Sequence, residues 1–149
     1  MTDSIERLQN WLHDAFPLVA EMGLEVTNLE ANSVGTRVPL ARNHNVHGTA
    51  FAGSLSAQAM LTGWILLTRH LEQAGLDTLL LQREATIRYL APVTEDPVCR
   101  CTIDAAALAS FREELTGAGK ARISTEVEIL NGTDPAAMLT AGYSARLKR

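Results

Sequence analysis

Asn43-His44-Asn45-Val46-His47-Gly48-Thr49-Ala50-Phe51-Ala52-Gly53-Ser54 is a polar, glycine-bearing segment that runs straight into the longest helical pattern of the chain, from Gly53 to about Ala74. The early turns of that pattern carry Gly53, Ser54, Ser56, Ala57, Ala59 and Gly63, which let other backbone come close on several sides. A helix so apolar around its circumference belongs in an interior, and Gly75 supplies a C-cap. A polar loop at the mouth of a buried helix is a candidate binding site. What it lacks narrows the chemistry: between Asn43 and Thr68 there is no Asp, Glu, Lys or Cys. Any reaction here rests on amides, hydroxyls, imidazoles and backbone N–H groups.

Outward from this centre, Ile5, Leu8, Leu12 and Phe16 recur at helical spacing behind Asp3 and Glu6, which resemble a capping box, and Pro17 ends that helix. Met22, Leu24 and Val26 alternate with polar residues, as do Val34, Thr36, Val38 and Leu40 after a break at Ala31-Asn32-Ser33. This predicts a strand hairpin, with Pro39 at an edge or strand end. Downstream, the pattern predicts strands at 78–90, 98–106, 120–130 and 138–147, with a short amphipathic helix on Leu108, Phe111 and Leu115. Asn131-Gly132-Thr133-Asp134-Pro135 reads as a turn. In the strand from Lys120, the residues Ala121, Ile123, Thr125, Val127 and Ile129 alternate with Arg122, Ser124, Glu126 and Glu128, so one face is buried and one is wet. The order of helix, two strands, buried helix and four strands predicts an α+β domain, an antiparallel sheet wrapped around a long central helix.

A length of 149 residues fits one domain over 1–149. The 5% aromatic share and the formal charge of −4 argue against a nucleic-acid-binding surface. The acidic, polar N-terminus has no apolar signal core, and no later run suits a membrane span, so a cytoplasmic location is expected. Cys99 and Cys101 stand two apart on one strand face and read as small core hydrophobes. His44 and His47 have no local carboxylate or thiol to complete a ligand set, so no metal is expected.

With the elements placed, the layout is similar to the hot-dog fold of acyl-thioester enzymes. Pro39-Leu40, Asn43, Asn45, Gly48-Thr49, Phe51 and Gly53-Ser54, followed by Trp64, resemble the signature of one narrow branch. That branch is the putative-thioesterase domain found alone or fused behind an N-acetyltransferase domain. Ile87-Arg88-Tyr89-Leu90-Ala91-Pro92-Val93 and Gly119-Lys120-Ala121-Arg122 extend the resemblance over nearly the whole chain. No acetyltransferase segment precedes the domain, so the chain resembles the stand-alone form. The resemblance implies a malonyl-acyl-carrier-protein decarboxylase that makes acetyl-carrier protein for the start of fatty-acid synthesis, with Asn45 at the position of the key catalytic residue. It also implies a homodimer or dimer of dimers with sites at the subunit interface.

The residues point the same way. Thioester hydrolysis needs a carboxylate that attacks or activates water, whereas the helix offers Ser56, Gln58, Met60 and Thr62 at the candidate positions. Loss of CO2 from a malonyl thioester needs only stabilisation of the developing enolate oxygen. Asn45 can supply an amide N–H, and the free N–H groups near Gly53 and Ser54 add the positive end of the helix dipole. Asn43, Thr49 and Phe51 are candidates to position the substrate, and His47 is a candidate proton donor. Each has a plainer reading: asparagines hold turns, Ser54 caps or packs a helix, and a lone loop histidine is commonly a surface group. No cofactor is expected beyond the phosphopantetheine thioester of a carrier protein or coenzyme A. Arg88, Lys120 and Arg122 are candidates to bind that acidic partner or its phosphate, against the alternative of a solvated strand face. An acyl-coenzyme A or acyl-carrier-protein thioesterase, a hydratase and a non-catalytic acyl-thioester binder are the competing readings.

Overall fold

A computed structural model describes residues 4–148. Helix α1, Ile5–Ala15, is capped by Ser4, whose hydroxyl accepts the Arg7 N–H at 3.3 Å; the capping residue expected from the sequence, Asp3, lies outside the described residues. Leu8 and Leu12 are fully buried on its inner face. Pro17 ends α1 as expected and also opens a second helix, α2, Pro17–Met22, because its fixed φ suits the first helical position. The alternation at Met22 and Leu24 is therefore not a strand. Val19 and Met22 form a buried i, i+3 pair, and Gly23 turns the chain out of the helix at φ 69°.

Strands β1, Glu25–Glu30, and β2, Ser33–Arg37, form the expected antiparallel hairpin. Pro39 lies beyond β2, at the start of a single 3-10 turn, Leu40–Arg42. The central helix α3 spans Ala52–Gln73 and is closed by Gly75 at φ 74°. β3, Thr78–Tyr89, and β4, Val98–Thr102, follow. β4 is shorter than its alternation predicts because helix α4, Ala105–Ala118, begins where the strand was expected to continue. β5, Lys120–Asn131, and β6, Asp134–Leu147, are joined by Gly132 and Thr133 alone. Pro135, expected in the turn, sits inside β6 opposite Leu130, beside a register irregularity that accommodates its missing N–H.

The six strands form one fully antiparallel sheet in the order β1-β2-β4-β5-β6-β3. It bends around α3, as contacts from distant strands show. Thr36 of β2 shares a 2.8 Å hydrogen bond with Thr62, and the Tyr143 hydroxyl of β6 donates to the Met60 carbonyl at 3.2 Å. On β5, Thr125 Oγ1 would lie 3.2 Å from a Cβ at Gly63, so a glycine lets helix and sheet approach. Ala121, Val127, Ile129, Leu139, Ala141 and Tyr143 face inward and are buried, while Lys120, Arg122, Glu126 and Glu128 are exposed, as the β5 alternation predicts. Cys99 and Cys101 are wholly buried; burial pushes both thiols up, that of Cys101 to about 12. Both are packing residues. Among the described residues no helix is long and apolar enough to cross a membrane.

β1 and β3 are the open edges of the sheet. β3 is 12 residues long and exposed over most of its length, with Leu79, Leu81 and Tyr89 each about half accessible. A long apolar edge with unpaired backbone groups is a template for another strand.

Candidate functional site

The loop leading into α3 is built on two asparagines with different jobs. Asn43 is 3% exposed, and its amide donates to the Met22 carbonyl at 2.9 Å and the Pro39 carbonyl at 2.8 Å. Its own carbonyl accepts the Phe51 N–H at 2.8 Å. Both side-chain hydrogens are thus spent on joining the end of α2 to the 3-10 turn, and none faces a ligand. The substrate-positioning role expected for Asn43 gives way to an architectural one.

Asn45 is half-buried and organises the five residues from 45 to 49. Its Oδ1 accepts the His47 and Thr49 N–H groups at 2.8 and 3.2 Å, and its backbone N–H donates to the Thr49 carbonyl at 2.7 Å. Gly48, at φ 82°, makes this tight return possible. The Asn45 amide donates one hydrogen to Thr49 Oγ1 at 2.8 Å, while the contact of Nδ2 to the Ala50 carbonyl is long, at 3.4 Å. One amide hydrogen is therefore weakly held and can be redirected at low cost.

Asn45 and Thr49 form one wall of a cavity of about 380 Å³. Ala50, Ala52 and Leu55 carry it along the start of α3, and Tyr89, Leu90, Ala91, Pro92 and Val93 close the other side. The two sides are tied together: Tyr89 donates its hydroxyl to the Ala52 carbonyl at 3.0 Å, and Ala50 N–H bonds the Val93 carbonyl at 2.9 Å. Phe51 is the N-cap residue of α3 and offers no side-chain cap, and the first intrahelical bond is made by the Leu55 N–H. The N–H groups of Ala52, Gly53 and Ser54 are left open at the positive end of a 22-residue helix.

Four expected residues, Phe51, Gly53, Ser54 and His47, stand beside this cavity and not in its walls. Phe51 is 53% exposed, and its ring lies over Gly53, where a Cβ would come within 2.5 Å of Cε2. Ser54 lies in the first turn of α3 and is not its cap. His47 contributes its backbone N–H to Asn45, and its side chain is exposed. The polar side chains in the wall are Asn45, Thr49 and Tyr89; there is no carboxylate, imidazole or thiol. Of the four helix positions considered for a hydrolytic base, Gln58 and Thr62 are wholly buried, while Ser56 and Met60 are half-buried and outside the cavity lining. Gln58 donates to the Pro97 carbonyl at 3.0 Å and packs on Thr36, so neither residue reaches the cavity. No cluster among the described residues is fit to hold a metal ion.

Tyr89 and residues 91–93 received no individual role from the sequence. Their signal was present in the string from Ile87 to Val93, but only the fold shows that this string closes over the start of α3.

Arg88, Lys120 and Arg122 all project from the outer sheet face, yet they do not cluster. Arg88 is opposite Met138 and Lys120 opposite Arg146, eight residues apart along β6, or about 27 Å. Lys120 and Arg122 instead join Arg83 and Arg146, with Leu79, Leu81, Ser144 and Glu114, around a groove of about 500 Å³. Arg83 reaches this group because a register irregularity between Gln82 and Glu84 re-aims the strand.

The architecture is shared with solved structures. A protein of unknown function from Chlorobaculum tepidum is 27% identical over 96% of this chain and 94% of its own, with a TM-score of 0.89. A Shewanella oneidensis protein described as a "putative thioesterase" is also 27% identical, covering 95% of this chain and 96% of its own at a TM-score of 0.81. A Pseudomonas aeruginosa protein described as a probable thioesterase is 26% identical over 99% of both chains, with a TM-score of 0.88. The fold is the hot-dog fold. With a family model matched over residues 5–146, the chain belongs to the family described as "Putative thioesterase (yiiD_Cterm)".

Proposed function

We propose that the chain decarboxylates a malonyl thioester carried on phosphopantetheine, giving the acetyl thioester and CO2. The observation that carries this reading is the composition of the cavity wall: amide, hydroxyl and phenol donors with apolar residues, and no carboxylate, imidazole or thiol to attack a carbonyl or activate water. Hydrolysis requires such a group. Decarboxylation does not, because the bond between the α-carbon and the carboxylate breaks once its electron pair can move into the thioester as an enolate. The enolate oxygen then needs donors. Protonation of the α-carbon completes the reaction.

Asn45 supplies the directed donor. Its hydrogen now weakly held against the Ala50 carbonyl turns to the thioester oxygen, while the bonds to His47, Thr49 N–H and Thr49 Oγ1 keep the side chain in place. The open N–H of Ala52, beside the same wall, adds the helix dipole. Losing one such donor costs roughly 3 kcal/mol of barrier in enzymes of this kind. The alanine, leucine, proline and valine walls solvate the malonyl carboxylate poorly and favour its departure as neutral CO2. Solvent is the proton source the geometry favours, since His47 stands outside the cavity wall.

The active unit in this reading is a homodimer joined through β3. Two copies of the 12-residue edge, paired antiparallel about a two-fold axis, would extend the sheet and satisfy the open backbone groups of β3, leaving its outer-face side chains accessible. Thioester hydrolysis is the second reading, and family membership favours it.

Two variants separate the donor from the loop. Asn45→Ala removes the amide, whereas Asn45→Asp keeps an oxygen for the His47 and Thr49 N–H groups, loses the N–H donors and adds a negative charge where the enolate would form. Both are expected to lower kcat on malonyl-carrier protein by roughly a hundredfold with folding intact. An Asn45→Asp enzyme with wild-type turnover would end the assignment.

A further inference from the structure

We propose that the groove formed by Arg83, Lys120, Arg122 and Arg146 docks the acidic carrier protein, and that it does so in trans, serving the reaction cavity of the other protomer. This rests on the proposed carrier-borne substrate and on dimerisation through β3.

The charge pattern is the first observation. Four cations surround the groove, and Glu114 is the one carboxylate in its lining. Among the described residues none of the four is held in an ion pair or a side-chain hydrogen bond, in contrast to Arg37, which is bound to Glu25 at 2.8 Å, and Lys148, which lies 3.4 Å from Asp77. The chain as a whole carries −4, so this concentration of free positive charge runs against its average. Leu79 and Leu81, 48% and 53% exposed, provide apolar surface at the same place. Ser124 and Gly142 line a second hollow that shares Arg83 and Arg122 and adds one carboxylate, Glu84. Unpaired cations around exposed leucines fit an acidic protein surface with an apolar centre better than a lone phosphate.

Distance along the strand decides which cavity is served. The groove begins at Leu79 and the cavity at Tyr89, ten residues further along the same β3, or about 33 Å at roughly 3.3 Å per residue. Antiparallel pairing of two β3 edges lays the Thr78 end of one chain beside the Tyr89 end of the other. The separation then falls to about one strand spacing, roughly 5 Å laterally. The groove is on the outer sheet face and the cavity opens on the inner one. The arm therefore rounds the end of the sheet, where Leu90, Ala91 and Pro92 line the cavity.

The test is subunit complementation. Asn45→Ala inactivates the cavity, and Arg83→Glu/Lys120→Glu/Arg122→Glu inactivates the groove. Differently tagged copies are co-expressed, and the purified heterodimer is assayed with malonyl-carrier protein. Docking in trans predicts one working site per heterodimer, about half the wild-type rate, because the intact cavity faces the intact groove. A rate no better than either parent means docking in cis and overturns the proposal.

A turnover-independent arm uses apo-carrier protein, which lacks the arm, in fluorescence anisotropy. Wild type should bind it in a salt-sensitive way, the triple-glutamate variant at least tenfold more weakly, and a charge-matched Arg7→Glu/Arg100→Glu/Arg112→Glu control, exposed outside the groove, like wild type. Equal binding by wild type and the groove variant overturns the assignment, as does a groove that takes up coenzyme A and ignores apo-carrier protein. If wild type binds apo-carrier protein as described yet turns over no malonyl thioester, the reaction assignment fails and the docking surface stands. Size-exclusion and circular dichroism of each variant confirm folding and dimerisation.

Discussion

Asn43 and Asn45 are two residues apart in sequence, and they should fail in opposite ways. Asn43 is 3% exposed and gives both amide hydrogens to backbone carbonyls, those of Met22 and Pro39. Asn43→Ala leaves the buried Met22 carbonyl without its donor, costing about 1–3 kcal/mol, while the Pro39 carbonyl keeps the Arg42 N–H at 3.2 Å. A net loss of about 1–3 kcal/mol is expected, or roughly 2–12 °C in Tm for a domain of this size. Asn43→Asp should be worse, because a carboxylate would then face two carbonyl oxygens where two donors stood. Asn45 is half-buried, and water can replace the bonds that its substitution breaks, so Asn45→Ala should cost less than about 1.5 kcal/mol of stability. Urea titration followed by circular dichroism, at one fixed protein concentration because the folded form is expected to dimerise, gives the values. An Asn43→Asp chain as stable as wild type would refute the assigned hydrogen bonds. An Asn45→Ala chain losing more than Asn43→Ala would refute the division of labour.

Two further outcomes follow from the core. Cys99 and Cys101 are fully buried with raised pKa values, so neither should react with a thiol reagent at neutral pH until the chain unfolds; labelling of the native protein followed by mass spectrometry checks this. His70 has a buried Nε2 without a hydrogen-bond partner, and burial followed by the nearby Arg112 charge holds its pKa below 6.5. The unfolded chain therefore takes up this proton first as the pH falls, so the neutral histidine's contribution is fully present above 6.5 and is lost as the pH drops through the window beneath it. His70→Gln should lose less Tm than wild type between about pH 7.5 and 5.5; equal losses would contradict the shift.

Much of the fold was legible because long elements carry long patterns. The apolar stretch after Gly53, the alternation from Ala121 to Ile129 and the Gly75 cap each specify one outcome, and the family strings agree with them. Failures occurred where one residue type serves two structures. Met22 and Leu24 have strand spacing, but Pro17 had already set a helix start; Thr102 ends a strand that Ile103, Ala105 and Ala106 seemed to continue. Pro135 suits a turn, and also a strand irregularity. At the site, the polar loop was visible as a loop, while the facing wall was not, because Tyr89 comes from 37 residues away to bond the Ala52 carbonyl. Arg83 and Arg146 stood apart in sequence from Lys120 and Arg122, and only the strand register brings them together.

The central claim is that the cavity breaks a carbon–carbon bond and leaves the thioester intact. The direct measurement is mass spectrometry of malonyl-carrier protein incubated with the wild-type chain in D2O. The account predicts loss of CO2, an acetyl-carrier protein retaining its thioester, and a deuterium delivered to the α-carbon from solvent. Free carrier thiol together with malonate would contradict it and establish hydrolysis in its place.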